Sequence, residues 1–220
     1  YIGYETENEK TLDDYLDELN NLTGMETVKK HIMDEIKSSK IAQERARRAG
    51  VAYSPGSLHM LLVGNAGTGK TTVARLIGKI YGKAGLIKNE DIFVEIRRES
   101  LVAGYMGQTG AKVTKEVERA KGGIMFIDEA YNLVNGDHDE FGKDALNTLL
   151  APIENNRDDL MVIMAGYEKE MEELLNHNQG LRSRLNTKLT LEDYSLEEMV
   201  RIFYKKAELE GYKLDEGLED

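Results

Sequence analysis

The chain contains no cysteine, two prolines and four phenylalanines in 220 residues. Without thiols it forms neither disulfides nor thiolate metal sites, a composition that fits a cytoplasmic protein. With so little proline, no proline-rich linker divides it. Long hydrophobic runs are missing too. The longest are about six residues, against the roughly 20 a helix needs to cross a bilayer. The opening residues are polar and acidic, so no secretory signal is read there. Positive charge is scarce, with 29 Lys and Arg against 40 Asp and Glu and a formal net charge of −11. Such a surface does not draw in a phosphate backbone, which argues against a nucleic-acid partner. Arg45, Arg47 and Arg48 make a local basic patch, and a solvated helix C-terminus accounts for it. His31, His59, His138 and His177 are scattered, without metal-ligand spacing. Neither an internal repeat nor a low-complexity tract is present. The length suits one large domain or two small ones.

What is present centres on residues 58–72. An apolar run of strand length, LHMLLV, enters the turn GNAGTGKTT, and the turn opens into a helical pattern. Gly64, Gly69, Lys70 and Thr71 fit the phosphate-binding pattern G-x-x-x-x-G-K-[ST]. Glycines at Gly64, Gly67 and Gly69, with Asn65, Ala66 and Thr68 between them, let successive backbone N–H groups face one concave spot. A helix beginning near Lys70 adds the partial positive charge of its N-terminus. Lys70 can reach the outer phosphates of ATP or ADP. The Thr71 hydroxyl, followed by Thr72, can ligate Mg²⁺.

Around this motif, strand and helix patterns alternate. Thr11 can cap a short helix carrying Leu12, Tyr15, Leu16 and Leu19 on one face. Thr23 and Glu26 have capping-box spacing. A long helix is expected from there to Ala49, with Val28, Ile32, Ile36 and Ile41 inward and Gly50 ending it. Strands are predicted at 92–96, 123–127, 160–164 and 188–191. Helices are predicted at 70–81, 111–120, 142–154 and 168–175, and one more opens at Ser195. Strands alternating with helices imply a parallel sheet covered on both faces, joined by right-handed crossovers.

The strand at 123–127 ends in Asp128 and Glu129. After a P-loop, an apolar strand that delivers two acids at its carboxyl end is a Walker B pattern, because ligands sit at that end of such sheets. Asp128 would hold Mg²⁺ through water. Glu129 is placed to orient and deprotonate the attacking water. The acid pair favours hydrolysis over phosphate transfer to a small molecule.

Together these motifs resemble an AAA+ ATPase. Within that family they resemble the branch containing stage V sporulation protein K, red-type Rubisco activase and the type VII secretion ATPases. The matching text is GNAGTGKTT (64–72), GGIMFIDEAYNL (122–133), ENNRDDL (154–160), AGY (165–167) and GLRSR (180–184). The resemblance runs from about Leu19 to the end of the chain. It implies an αβα sandwich with a five-stranded parallel sheet in the order 5-1-4-3-2, then the start of a helical lid. The implied division is an N-terminal extension at 1–19, the nucleotide-binding domain at 20–193 and an incomplete lid at 194–220. No sensor-2 arginine is found after Arg201, which lies too early in the lid.

The resemblance also implies roles for single residues. Gly24 and Met25 belong to the segment that packs on adenine. Tyr105, Met106 and Gly107 match an aromatic–hydrophobic–glycine pore loop that grips an unfolded chain. Arg182 and Arg184 match the arginine-finger region, and either could be the finger. Arg157 is a further interface candidate. The strand at 160–164 should end in a polar sensor 1, but this chain reads Ala165, Gly166 and Tyr167, which leaves the Tyr167 hydroxyl for that role. The implied activity is Mg²⁺-dependent ATP hydrolysis in a homo-oligomeric ring, a hexamer, that remodels a protein client. A nucleic-acid motor, a nucleotide-gated scaffold and a small-molecule kinase are the rivals. The sequence does not name the client.

Overall fold

A computed structural model describes residues 9–102, 108–136 and 138–212. At its centre lie five strands: β1 (Met60–Val63), β2 (Phe93–Ile96), β3 (Ile124–Ile127), β4 (Met161–Gly166) and β5 (Thr187–Thr190). They pair in parallel in the order β2-β3-β4-β1-β5, the expected 5-1-4-3-2 read from the other edge. In register, Val63 of β1 pairs with Gly166 of β4 and with Thr190 of β5. Ile96 of β2 pairs with Ile127 of β3. The carboxyl ends of β1, β3 and β4 therefore come out side by side, and the loops carrying the candidate site residues follow them.

The continuous apolar strands are explained by burial on both faces. Side chains alternate across a strand. Met60, Leu62, Phe126 and Ile163 point into one core, with α1 (Leu12–Asn20), α2 (Glu26–Ala49) and α3 (Lys70–Lys83). Leu61, Val63, Met125, Ile127, Val162 and Met164 point into the other. That second core is closed by α4 (Arg98–Leu101), α5 (Thr109–Ala120), α6 (Glu140–Asn155), α7 (Glu168–His177) and α8 (Gln179–Arg184). The last helix is α9 (Leu196–Leu209), opened by a capping box between Ser195 and Glu198. Its residues Met199, Val200 and Phe203 lie on the surface. Among the described residues no helix is long and apolar enough to cross a membrane.

Local chemistry sets several boundaries as read from the sequence. Thr11 caps α1 in a full capping box with Asp14. Gly50, at φ 68°, ends α2 in the left-handed region. Its successor Val51 donates its N–H to the Ala46 carbonyl at 3.1 Å, which satisfies an orphan group of the last turn. Two expectations for α2 fail. Thr23 does not cap it, because Gly24 and Met25 both take left-handed backbone, φ 67° and 62°, and Met25 occupies the capping position without a side-chain bond. Ile41 faces solvent rather than the core. The inward face continues from Ile36 to Ser39, three residues on, whose hydroxyl donates to the Ile36 carbonyl at 2.9 Å. Ile41 is five residues on, about 140° around the helix.

Candidate nucleotide site

The P-loop is shaped by a close contact at Gly64 and by left-handed backbone at two further glycines. Gly64 follows β1, and a Cβ there would stand 2.6 Å from the Leu191 carbonyl oxygen. Gly67 and Gly69 take φ 80° and 87°, a region side chains rarely adopt. A Cβ on Gly67 would meet nothing within 4 Å, so the backbone there is open to a ligand. Thr68 is buried and its hydroxyl donates to the Asn65 carbonyl at 2.9 Å, closing the turn. Lys70 begins α3, and its ammonium donates to the carbonyls of Gly64 and Asn65, each at 2.8 Å.

Ala66, Gly67, Gly69, Lys70, Thr71 and Thr72 form one wall of a cleft of about 360 Å³. Asp128, Glu129 and Tyr131 form the facing wall, and Gly166 and Tyr167 close the side. The turn after β3 is bent sharply. Glu129 sits at φ 47°, ψ 46°, unusual for a residue with a side chain. Its N–H donates to Asp128 Oδ1 at 2.9 Å, and its carboxylate accepts from Asn132 Nδ2 at 3.0 Å. A 3-10 turn, Ala130–Leu133, follows. Tyr131 within it stacks on Tyr167, with ring centroids 5.8 Å apart. The Lys70 ammonium lies 5.6 Å from the Tyr167 ring centre. Burial, and then the Glu129 carboxylate, push the Tyr131 hydroxyl up to about 12, so it stays protonated and able to donate.

Sequence residues 60–192 match the ATPase family associated with various cellular activities, AAA. This chain belongs to that family. The AAA chain is 43% identical over 202 residues to ESX-1 secretion system protein EccA1 of Mycolicibacterium smegmatis, covering 90% of this chain and 35% of that protein. Against stage V sporulation protein K of Bacillus subtilis it is 37% identical over 202 residues, covering 92% and 62%. Against ESX-3 secretion system protein EccA3 of M. smegmatis it is 40% identical over 192 residues, covering 87% and 31%. These relatives bear out the branch that the sequence motifs resemble. The AAA chain thus spans about a third of the EccA proteins and under two thirds of the sporulation protein. A solved structure, the FIGL-1 AAA domain in complex with ADP, superposes with a TM-score of 0.61 at 18% identity, covering 95% of this chain and 71% of that one. At that identity the likeness concerns the fold.

The remaining site residues of this AAA chain fall into three groups. Gly24 and Met25 are brought to the P-loop: a Cβ built on Gly69 would lie 3.5 Å from Met25 Cε. Arg182 and Arg184 lie on α8, outside the cleft lining. The Arg182 guanidinium donates to Glu172 Oε2 and Asn176 Oδ1, each at 2.9 Å. Arg184 turns back to the Gly180 carbonyl at 2.8 Å and approaches Glu154 at 3.5 Å. Arg157 pairs with Glu154 at 3.0 Å. Tyr105, Met106 and Gly107 lie outside the described residues.

Sequence reasoning missed Asp193 and Tyr194. Both Asp193 carboxylate oxygens accept from Asn65 Nδ2, at 3.0 and 2.7 Å, and the Tyr194 hydroxyl donates to the Thr68 carbonyl at 3.3 Å. The segment leading into α9 is thereby fastened to the phosphate loop. Neither residue belongs to a local motif, since both bonds span well over 100 positions of sequence. The only sequence signal was the placement of Tyr194 at the start of the lid.

Proposed function

We propose that this chain binds and hydrolyses ATP with Mg²⁺, as the motor module of a homo-oligomeric ring that remodels a protein client. The observation that carries the reading is the meeting of Lys70, Thr71, Asp128 and Glu129 on one cleft. The open loop and the Lys70 ammonium suit the phosphates of ATP. The Thr71 hydroxyl and Asp128 carboxylate are hard oxygen donors, which suit Mg²⁺. Among the described residues no group of three His, Cys, Asp or Glu could hold a metal alone. When bound, Mg²⁺ would offset the negative charge of the outer phosphates. Gly24 and Met25, beside Gly69, are placed to receive the adenine end.

Glu129 acts as the base that orients and deprotonates water in line with the outer phosphorus. Lys70 neutralises charge on the transferred group, and the Tyr167 hydroxyl takes the sensor position. One arginine is supplied by a neighbouring copy, because neither Arg182 nor Arg184 lines the cleft of its own chain. Arg182 is the more exposed of the two, 41% against 26% of the side chain, and its partners are surface groups that it can leave cheaply. Such a requirement implies a closed ring, a hexamer in the resembled family. There, Tyr105, Met106 and Gly107 would face the pore and grip the client. In this reading 20–193 is the nucleotide-binding domain and 194–220 belongs to a lid, while the extension at 1–19 contributes most of α1 to one core of that domain. A motor that consumes ATP works on the cytoplasmic side.

The test is ATP turnover per chain against protein concentration. A rate per chain that climbs with concentration, and is lost in Arg182→Ala or Arg184→Ala, supports active sites shared between copies. A flat rate insensitive to both substitutions removes the ring. Co-purification of a protein held by Glu129→Gln in ATP, and released by ADP, would identify the client.

A further inference from the structure

The turn after β3 does more than carry Glu129 into the cleft. Glu129 caps the 3-10 turn from left-handed backbone, and Asn132, within the turn and three residues on, donates its Nδ2 to Glu129 Oε2 at 3.0 Å. The second carboxylate oxygen is left out of that bond. A glutamate side chain has three rotatable bonds, so an unheld carboxylate would sample many rotamers.

The donor is itself held. Arg98, the first residue of α4, donates through Nη1 to the Asn132 carbonyl at 3.3 Å and to the Leu133 carbonyl. The same guanidinium pairs with Asp139 Oδ2 at 2.7 Å. Asp139 also accepts the N–H groups of Asn135 at 2.7 Å and of Gly142 at 2.9 Å. The backbone of the turn is thus pinned from two other elements, while the Asn132 amide is spent on Glu129. Asn132 is exposed, and its side chain contributes little to the fold.

We propose that Asn132 is a positioning residue for hydrolysis, fixing one Glu129 oxygen so that the other is presented to the attacking water. This rests on the reading of Glu129 as the base. A neutral amide suits this role, because it directs the carboxylate without replacing the charge that the nucleotide site balances. It also sets a demand on the side chain. Aspartate at 132 would keep the shape, lose the donor and place a like charge against Glu129.

The test uses the full chain, assembled, with ATP. Asn132→Ala should lower kcat by about 10-fold or more, in keeping with what misplacing a reacting group costs. Asn132→Asp should lower it further. KM and the affinity for a non-hydrolysable ATP analogue should stay within about 2-fold, and the melting temperature should not move, since an exposed side chain is changed. In single-turnover measurements on Glu129→Gln, adding Asn132→Ala should cost nothing more, because the two residues act as one unit. Wild-type turnover in Asn132→Ala would overturn the proposal. So would an equal loss with and without Glu129, or a loss that follows melting temperature or affinity. If Glu129→Gln itself hydrolyses ATP at the wild-type rate, the assignment of the base fails first, and that result is distinct from the others.

Discussion

Tyr131 and Tyr167 stack with their rings 25° from parallel, and Gly166 is the residue that lets them meet. A Cβ on Gly166 would stand 2.9 Å from Tyr131 Cδ1 and 2.8 Å from Met171 Sδ. Gly166→Ala should therefore destabilise the protein by about 1–3 kcal/mol through overpacking, with Met171 absorbing part of the strain. Urea unfolding measures it. An unchanged midpoint would mean that the pair of rings shifts freely.

The stack separates two roles of Tyr167. Tyr167→Phe keeps the ring beside Lys70 and removes only the hydroxyl. If that hydroxyl reads the outer phosphate, turnover should fall by about 10-fold or more, the worth of a hydrogen bond to a charged group. Nucleotide affinity should change little. Full turnover in Tyr167→Phe would leave the sensor position without this side chain.

Arg98 and Asp139 set a pH dependence. The Arg98 guanidinium holds the Asp139 carboxyl down, from an ordinary 3.8 to about 2, aided by two backbone N–H donors. A carboxyl lowered on folding stabilises the native state above its unfolded value, and that stabilisation is lost as pH falls from about 4 to about 2. Asp139→Asn should cost on the order of 2 kcal/mol at pH 7. The gap between wild type and variant should close as pH is lowered through that window. A gap that stays constant would show that charge is not what the pair contributes.

His59 sets another. It is buried beside the start of β1, accepts the Val162 N–H on Nδ1 at 3.0 Å, and its Nε2 lies 3.2 Å from the Ile153 carbonyl. Nε2 therefore carries the proton of a neutral ring. Burial lowers its pKa from the ordinary 6.5. Its contribution is present above about 6.5 and declines as pH falls below it. His59→Asn keeps an acceptor for Val162. The difference in melting temperature between wild type and this variant should shrink between pH 7.5 and pH 5. A difference that is the same at both would mean the ring charges without cost.

The fold was legible where one physical demand controlled many residues. Strands buried on both faces must be apolar throughout, and β1, β3 and β4 announce themselves that way. The P-loop and the acids after β3 were legible because phosphate and metal chemistry fixes residue type at short spacing. Legibility ended where a residue serves a distant partner. Nothing near Asp193 or Tyr194 points to Asn65 and Thr68, and nothing near Arg98 points to the turn after β3. The start of α2 misleads because Thr23 and Glu26 have the right spacing, while two left-handed residues between them turn the chain away. The helix α8 is hidden because its cap is Asn178, whose side chain accepts the Leu181 N–H at 2.9 Å, inside a stretch that reads only as an arginine motif.

The bonds from Asn65 to Asp193 and from Tyr194 to Thr68 make the phosphate loop a pivot with a long arm. The 14 residues of α9 reach ~21 Å from that pivot at ~1.5 Å per residue. A tilt of roughly 5° at the loop, less than the normal scatter of backbone angles, displaces the far end by about 2 Å. The arm is braced near its outer end, where Lys205 Nζ donates to the Asn21 carbonyl at 3.0 Å. It also passes Gly24, where an added Cβ would stand 2.8 Å from Glu198 Oε1. With the loop bonds at one end and the Lys205 brace at the other, the surface that carries Met199, Val200 and Phe203 is tied to the rest of the chain at both ends.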